Sequence, residues 1–278
     1  MPADEQTRFL QELAADLNSK NIQLPSFPDV VISIRTALED PTCSSERLAS
    51  VVRTDAVLVA RLLMAANSAF HNRAGIEITD LDLAISRLGF EVVRNTAITL
   101  AVAQIFAASE HKKLKSAIKE IWSNSLALAS MSFVIARNSG NVNADNAFLC
   151  GLLHDIGRLY ILTKATRYPK LLGDPQSLKT VQDQWYASVG KSIIEAWGFS
   201  SEIANSLDDE DRVTSRGGPP GLVDVVSLAK LVLTVDEPAE DAAFADIAGK
   251  LNVSAETLPL ILEAQHLHAQ SMLQSVGS

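Results

Sequence analysis

At 278 residues the chain can bury a large core in one or two domains, and with 47% hydrophobic and 21% charged residues it has the balance of a globular protein, not a disordered one. A formal net charge of −9 argues against a broad nucleic-acid surface, which needs clustered Lys and Arg; it leaves an acidic exterior that aids solubility or steers the chain toward a basic partner. Two cysteines, Cys43 and Cys150, with no CxxC pair, rule out a disulfide framework and point to a reducing compartment.

The chain opens acidic, with no apolar signal core, and Phe9, Leu10, Leu13 and Leu17 recur at helical spacing with Glu5, Glu12 and Asp16 off that stripe. A short loop with Pro25 and Pro28 follows, then a second stripe of Val30, Val31, Ile34 and Leu38 that Pro41 ends. Ser44 or Ser45 caps the next helix. Asp55 caps one through Leu58, Leu62, Leu63 and Ala66, and Asn67-Ser68-Ala69 reads as its C-terminal corner, with side chains satisfying free carbonyls or loop amides. Thr79 with Asp82 resembles a capping box ahead of Leu83, Ala84, Ile85 and Leu88, and Gly89 closes that helix. Long helical patterns then cover 91–108, 111–138, 144–164 and 177–197, the last started by Asp174-Pro175. The run 97–108 is apolar but broken by Thr99 and Gln104 and too short to span a bilayer, so a cytoplasmic protein is expected. His111, Lys112, Lys113, Lys115 and Lys119 form a basic cluster that reads as a solvated helix start. Residues 208–221 are acidic and then Gly- and Pro-rich, an exposed loop, and further helices are expected over 222–235, 241–250 and 254–276. No period-2 strand stands out. The fold class is all-α.

Several chemistries are missing from the inventory: there is no GxxxxGK[ST] or GxGxxG phosphate loop, no GxSxG elbow and no HExxH helix. What remains is Gly151-Leu152-Leu153-His154-Asp155-Ile156-Gly157 inside a helical run. Leu149, Leu152, Leu153, Ile156, Leu159 and Tyr160 make its buried stripe, and Gly151, Asp155 and Arg158 share another face. Imidazole and carboxylate side by side are good ligands for Zn, Mn or Fe. The same residues equally read as a hydrogen-bonded core histidine beside an Asp155–Arg158 pair three residues apart.

Context adds to the dipeptide. Trp122-x-x-Ser125 upstream, with Val189-Gly190 and Trp197-Gly198 downstream, resembles the HD phosphohydrolase superfamily. Leu24-Pro25-x-x-Pro28, Asp55 with Leu58, the run from Leu62 to Ala69 and Ala84-Ile85-x-x-Leu88-Gly89 resemble its HD-related output domain (HDOD) branch. The resemblance covers about residues 24–233. It implies an all-helical bundle divided as an N-terminal helix (1–20), an HDOD domain (21–235, with an N-terminal half 21–110, an HD-like core 111–207 and the loop 208–221) and C-terminal helices (236–278). It also implies a bacterial signalling or regulatory role without established catalysis.

Carried over residue by residue, the resemblance implies an eroded metal site. His154 and Asp155 survive as vestigial candidates, while Asn124, Tyr186 and Glu210 stand where an active HD hydrolase places further ligands. Asn and Tyr are poor substitutes for imidazole at a hydrolytic metal. The chain has only five histidines, at 71, 111, 154, 266 and 268. No catalytic or cofactor-binding residue, metal or cofactor is therefore expected. An oxygen-rich Mg or Ca site from Asp155 with Asp208, Asp209, Glu210 or Asp211 is an alternative to an exposed acidic loop. The expected partners are proteins of a signalling pathway, a homodimer included, with no nucleic acid and no membrane. The rival readings are a metal-dependent phosphohydrolase of a nucleotide or cyclic dinucleotide, and a nucleotide sensor using the old pocket.

Overall fold

Every regular element that the computed structural model describes, over residues 2–19, 28–72, 75–107, 114–207 and 218–276, is helical. In chain order the α-helices are α1 (Pro2–Ser19), α2 (Asp29–Leu38), α3 (Ser45–Val52), α4 (Ala56–Asn67), α5 (Leu81–Leu88), α6 (Phe90–Ala107), α7 (Lys115–Ser139) and α8 (Ala144–Leu153). There follow α9 (Ile156–Ala165), α10 (Pro169–Leu172), α11 (Pro175–Ala196), α12 (Ser201–Asn205), α13 (Leu222–Thr234), α14 (Ala242–Lys250) and α15 (Leu258–Val276). Leu24, Pro25, His111, Lys112, Lys113 and the acidic run 208–211, Glu210 included, lie outside the described residues.

The ends of these helices follow their capping chemistry. Ser44 accepts from the Arg47 N–H at 3.2 Å, and Asp55 accepts from the N–H groups of Val57 and Leu58 at 2.9 and 3.0 Å. Asp174 accepts from the Ser177 N–H at 3.2 Å with Pro175 as the first helical residue. At α5 the cap is Asp80, one residue later than the box built on Thr79: its carboxylate takes the Leu83 N–H at 2.8 Å, while Asp82 pairs with Arg53. Gly89 ends α5 at φ +82°, a conformation that L side chains rarely adopt.

The chain divides into two compact units. One comprises residues 26–108 and 255–278. In it α4 packs against α5, α6 and α15, α2 lies on α3 and α6, and α15 returns to α6. The corner after α4 is built as its residues predict. Asn67 donates to the carbonyls of Leu63 and Ile78 (2.9 and 2.7 Å) and accepts from the Ile78 N–H (2.8 Å), and Ser68 donates to the Ala65 carbonyl. Among the described residues α6 is the one helix long and apolar enough to cross a bilayer, and 61% of it is buried in the protein. Counted as a helix, it reaches the length that the apolar run 97–108 lacks.

The other unit comprises residues 1–25 and 109–254. Here α7 lies along α8, α13 crosses both, α9 packs on α11, and α10 joins α1, α9 and α11. Two contacts bring backbones together. A Cβ on Gly151 would stand 2.6 Å from the Ala129 Cα and N, and one on Gly157 would stand 2.0 Å from the Tyr186 carbonyl oxygen. Only glycine fits at either place. The first seats α8 on α7, and the second seats α9 on α11.

Candidate functional site at the His-Asp elbow

The single helix expected over 144–164 is two helices. α8 ends at Leu153 and α9 begins at Ile156, with His154 still helical (φ −54°, ψ −46°) and Asp155 turned out of the helical region at ψ +11°. Hydrophobic spacing missed the break because the apolar stripe runs through it: Leu152, Leu153, Ile156 and Leu159 are all buried. The break is what brings His154 and Asp155 to the mouth of an elbow facing α11 and α13.

His154 is 2% exposed, its Nδ1 lies 3.3 Å from Asp155 Oδ1, and its ring centroid is 5.4 Å from that of Tyr186. Asp155 also accepts from Arg158 Nε at 3.1 Å, so the pair expected three residues apart does form. Arg158 then reaches across to α11, donating to Asp183 Oδ1 at 2.7 Å, with its guanidinium carbon 4.3 Å from the Tyr186 ring centroid. From α13, Lys230 Nζ stands 5.6 Å from the same centroid and 3.4 Å from the Tyr186 hydroxyl. One tyrosine is thus shared by a histidine and two cations.

The electrostatics follow from that arrangement. Burial pushes the Asp155 carboxyl up, but the hydrogen bond from His154 and the charges of His154, Arg158 and Lys230 outweigh it and hold the group below the usual carboxylate range. Burial opposes the charge on Arg158, yet Asp183 and Asp155 raise its pKa above the ordinary value. Asp155 is a committed anion in a cage of positive charge.

Of the residues singled out in the sequence, His154, Asp155 and Tyr186 come together. Asn124 sits on the exposed side of α7, where its neighbour Ser125 is the buried residue of the turn. Asp183 and Lys230 were not foreseen. Asp183 lies three residues before Tyr186 on α11 and so shares its face, and Lys230 is the lone cation in the apolar helix LVDVVSLAKLVLT; both signals gain meaning only once the helices pack.

Among the described residues, the donors at the elbow do not fit a hydrolytic metal centre. No three His, Cys, Asp or Glu side chains converge to hold a metal among the described residues, and the space around Asp155 carries Arg158 and Lys230, whose charges repel a divalent cation. A cleft of about 510 Å³ in the other unit is lined by residues that include Leu63, Met64, Asn67, Asn72, Glu77 and Ile78. Its amides are already engaged: Asn67 at the α4 corner, and Asn72 between the Ile76 carbonyl (2.7 Å) and Arg87 (3.0 Å).

Comparison with known proteins bears on the family and the fold. The HDOD domain family model matches residues 24–212. A protein of Shewanella amazonensis, provisionally named a metal-dependent phosphohydrolase, superposes with a TM-score of 0.82 at 21% identity, over 97% of this chain and 99% of that one. A protein of Marinobacter aquaeolei, provisionally named a signal transduction protein, superposes with a TM-score of 0.66 at 19% identity, over 96% of this chain and 66% of that one. At such identities the likeness shows the shared fold. An uncharacterised protein of Treponema pallidum is 24% identical over 212 residues, which are 70% of this chain and 39% of that relative, so the chain spans about two fifths of it.

Proposed function

Because this chain belongs to the HDOD domain family, we infer that it acts as a non-catalytic regulatory module of signal transduction, working by protein–protein contact in the bacterial cytoplasm. One observation carries the reading: Arg158 and Lys230 supply the positive charge at Asp155 that a metal would supply in a hydrolase. A carboxylate neutralised by side chains has no free charge with which to recruit a metal-bound water. His154, Asp155, Arg158 and Tyr186 then serve as a clasp between α9, α11 and α13, fixing the elbow on which neighbouring helices are presented.

The competing reading, a metal-dependent phosphohydrolase, draws on the His-Asp pair itself, with an ionised Asp155 kept beside a buried imidazole. The two separate in a turnover assay on the full chain with nucleotides and cyclic dinucleotides in Mn or Mg. The regulatory reading expects product release (phosphate from a nucleotide, linear dinucleotide from a cyclic one) indistinguishable from that of an Asp155→Ala variant. Release that is saturable and lost in that variant contradicts it. A rise in thermal stability with a nucleotide, without turnover, would favour the sensor reading instead.

A further inference from the structure

α1 precedes the residues matched by the family, yet it is docked on the same unit as the His-Asp elbow. Its sequence suggests an ordinary amphipathic helix with its acids turned to water. In the structure Glu5 and Asp16 are half-buried against the unit, and Glu12 stands exposed at its edge. Taken at 100° per residue, Glu5, Phe9, Glu12, Leu13 and Asp16 fall within one face about 100° wide. Phe9 and Leu13 are fully buried, with Phe9 edge-on to Tyr168 of the α9–α10 connection at 5.3 Å. Around them the carboxylates reach the docking surface. Asp16 accepts from the Tyr160 hydroxyl at 2.6 Å and pairs with Lys164, Glu12 takes the Tyr168 hydroxyl, and Glu5 accepts from the Lys170 backbone N–H at 2.9 Å.

The receiving surface has its own character. Tyr160, Lys164 and Tyr168 line it, and the positive field of Arg167 reaches both tyrosines, a local basic face on a chain of net charge −9. The Lys164 side chain is 9% exposed, and Asp16 and Glu12 are its carboxylate neighbours. A buried ammonium and two tyrosyl hydroxyls aimed at carboxylates form a surface that reads both a hydrophobic anchor and acids on the same helical face.

We propose that the α9–α10 surface is a docking site for an acidic amphipathic helix, filled in cis by α1, and that the helix of a signalling partner with acids flanking its apolar anchor displaces α1 to bind there. The hold on α1 suits exchange. Among its described side chains Phe9 and Leu13 are the buried ones, and charge pairs rim them. The surface goes beyond the regulatory reading, and its test is blind to catalysis, so either can fail alone.

The test uses the full chain and a fluorescent synthetic peptide of residues 2–19. A Phe9→Ala/Leu13→Ala chain, whose own α1 is undocked, is expected to bind the peptide about tenfold or more tightly than the unaltered chain does. An Asp16→Lys peptide should lose that gain, and a Lys164→Glu change in the undocked chain should restore binding of the Asp16→Lys peptide. Should the double variant lose the whole fold, an Asp16→Lys chain, altered only at the rim, takes its place with the unaltered peptide. Absence of saturable binding to either undocked chain overturns the proposal, as does binding indifferent to the charge at Asp16.

Discussion

Asp155 carries more of the elbow than its neighbours. It holds His154 and Arg158 at once and faces Lys230, so its loss unpairs His154 and leaves Arg158 with Asp183 alone. An Asp155→Ala variant is expected to lose about 2–4 kcal/mol at neutral pH, measured by urea denaturation. The sign with pH follows from the depressed carboxyl. Its stabilisation is complete above the ordinary carboxylate value near pH 4 and fades as the pH falls through the lower folded value. The gap between wild type and Asp155→Asn should therefore narrow as the pH falls below the ordinary carboxylate value. At this scale the sequence was partly legible. The Asp155–Arg158 pair follows from helical spacing, and Tyr186 from the resemblance. Asp183 and Lys230 reach the site across 25 and 44 residues of chain, from Arg158 and Tyr186 respectively, and no local pattern announces such a meeting.

Among the elements, the caps were largely legible because they depend on two or three adjacent residues, as at Ser44, Asp55, Gly89 and Asp174. The break between α8 and α9 was not, because the residues on either side bury the same face. Nor was the use of the acids on α1, since spacing gives a side chain's direction and not what it meets. Two glycines make the packing argument testable. Gly157→Ala drives a methyl into the Tyr186 carbonyl and should cost about 1–3 kcal/mol or more. Gly249→Ala, at an exposed site of α14 with open space around it, should instead stabilise by about 0.5–1 kcal/mol. A Gly157→Ala denaturation midpoint no lower than that of the wild type would contradict the close approach of α9 and α11.

The docking of α1 has its own pH signature. Burial and the Glu12 hydrogen bond push the Tyr168 hydroxyl up to about 12. A raised value means that the stabilisation is complete below the ordinary tyrosine pKa near 10 and is lost as the pH climbs through the folded value. Phenolate absorbance should therefore appear at lower pH in a Phe9→Ala chain than in the wild type. Equal titration curves would mean that Tyr168 does not sense α1.

For the molecule as a whole, the all-helical class and the family were legible, because composition, stripes and ordered motifs agree over residues 24–212. The two-unit division was less so: α15 packs with α4 and α6, while α1 belongs with the elbow, connections between the chain's extremes and its middle that sequence order hides. On the proposed function, Arg158 and Lys230 fill the electrostatic role at Asp155 that a metal has in a hydrolase. The most direct measurement of this is Mn binding to the metal-stripped full chain, followed by calorimetry and by metal content after gel filtration, beside the Asp155→Ala variant. The account predicts no stoichiometric Mn in either protein; one equivalent retained by the wild type and lost from the variant would contradict it.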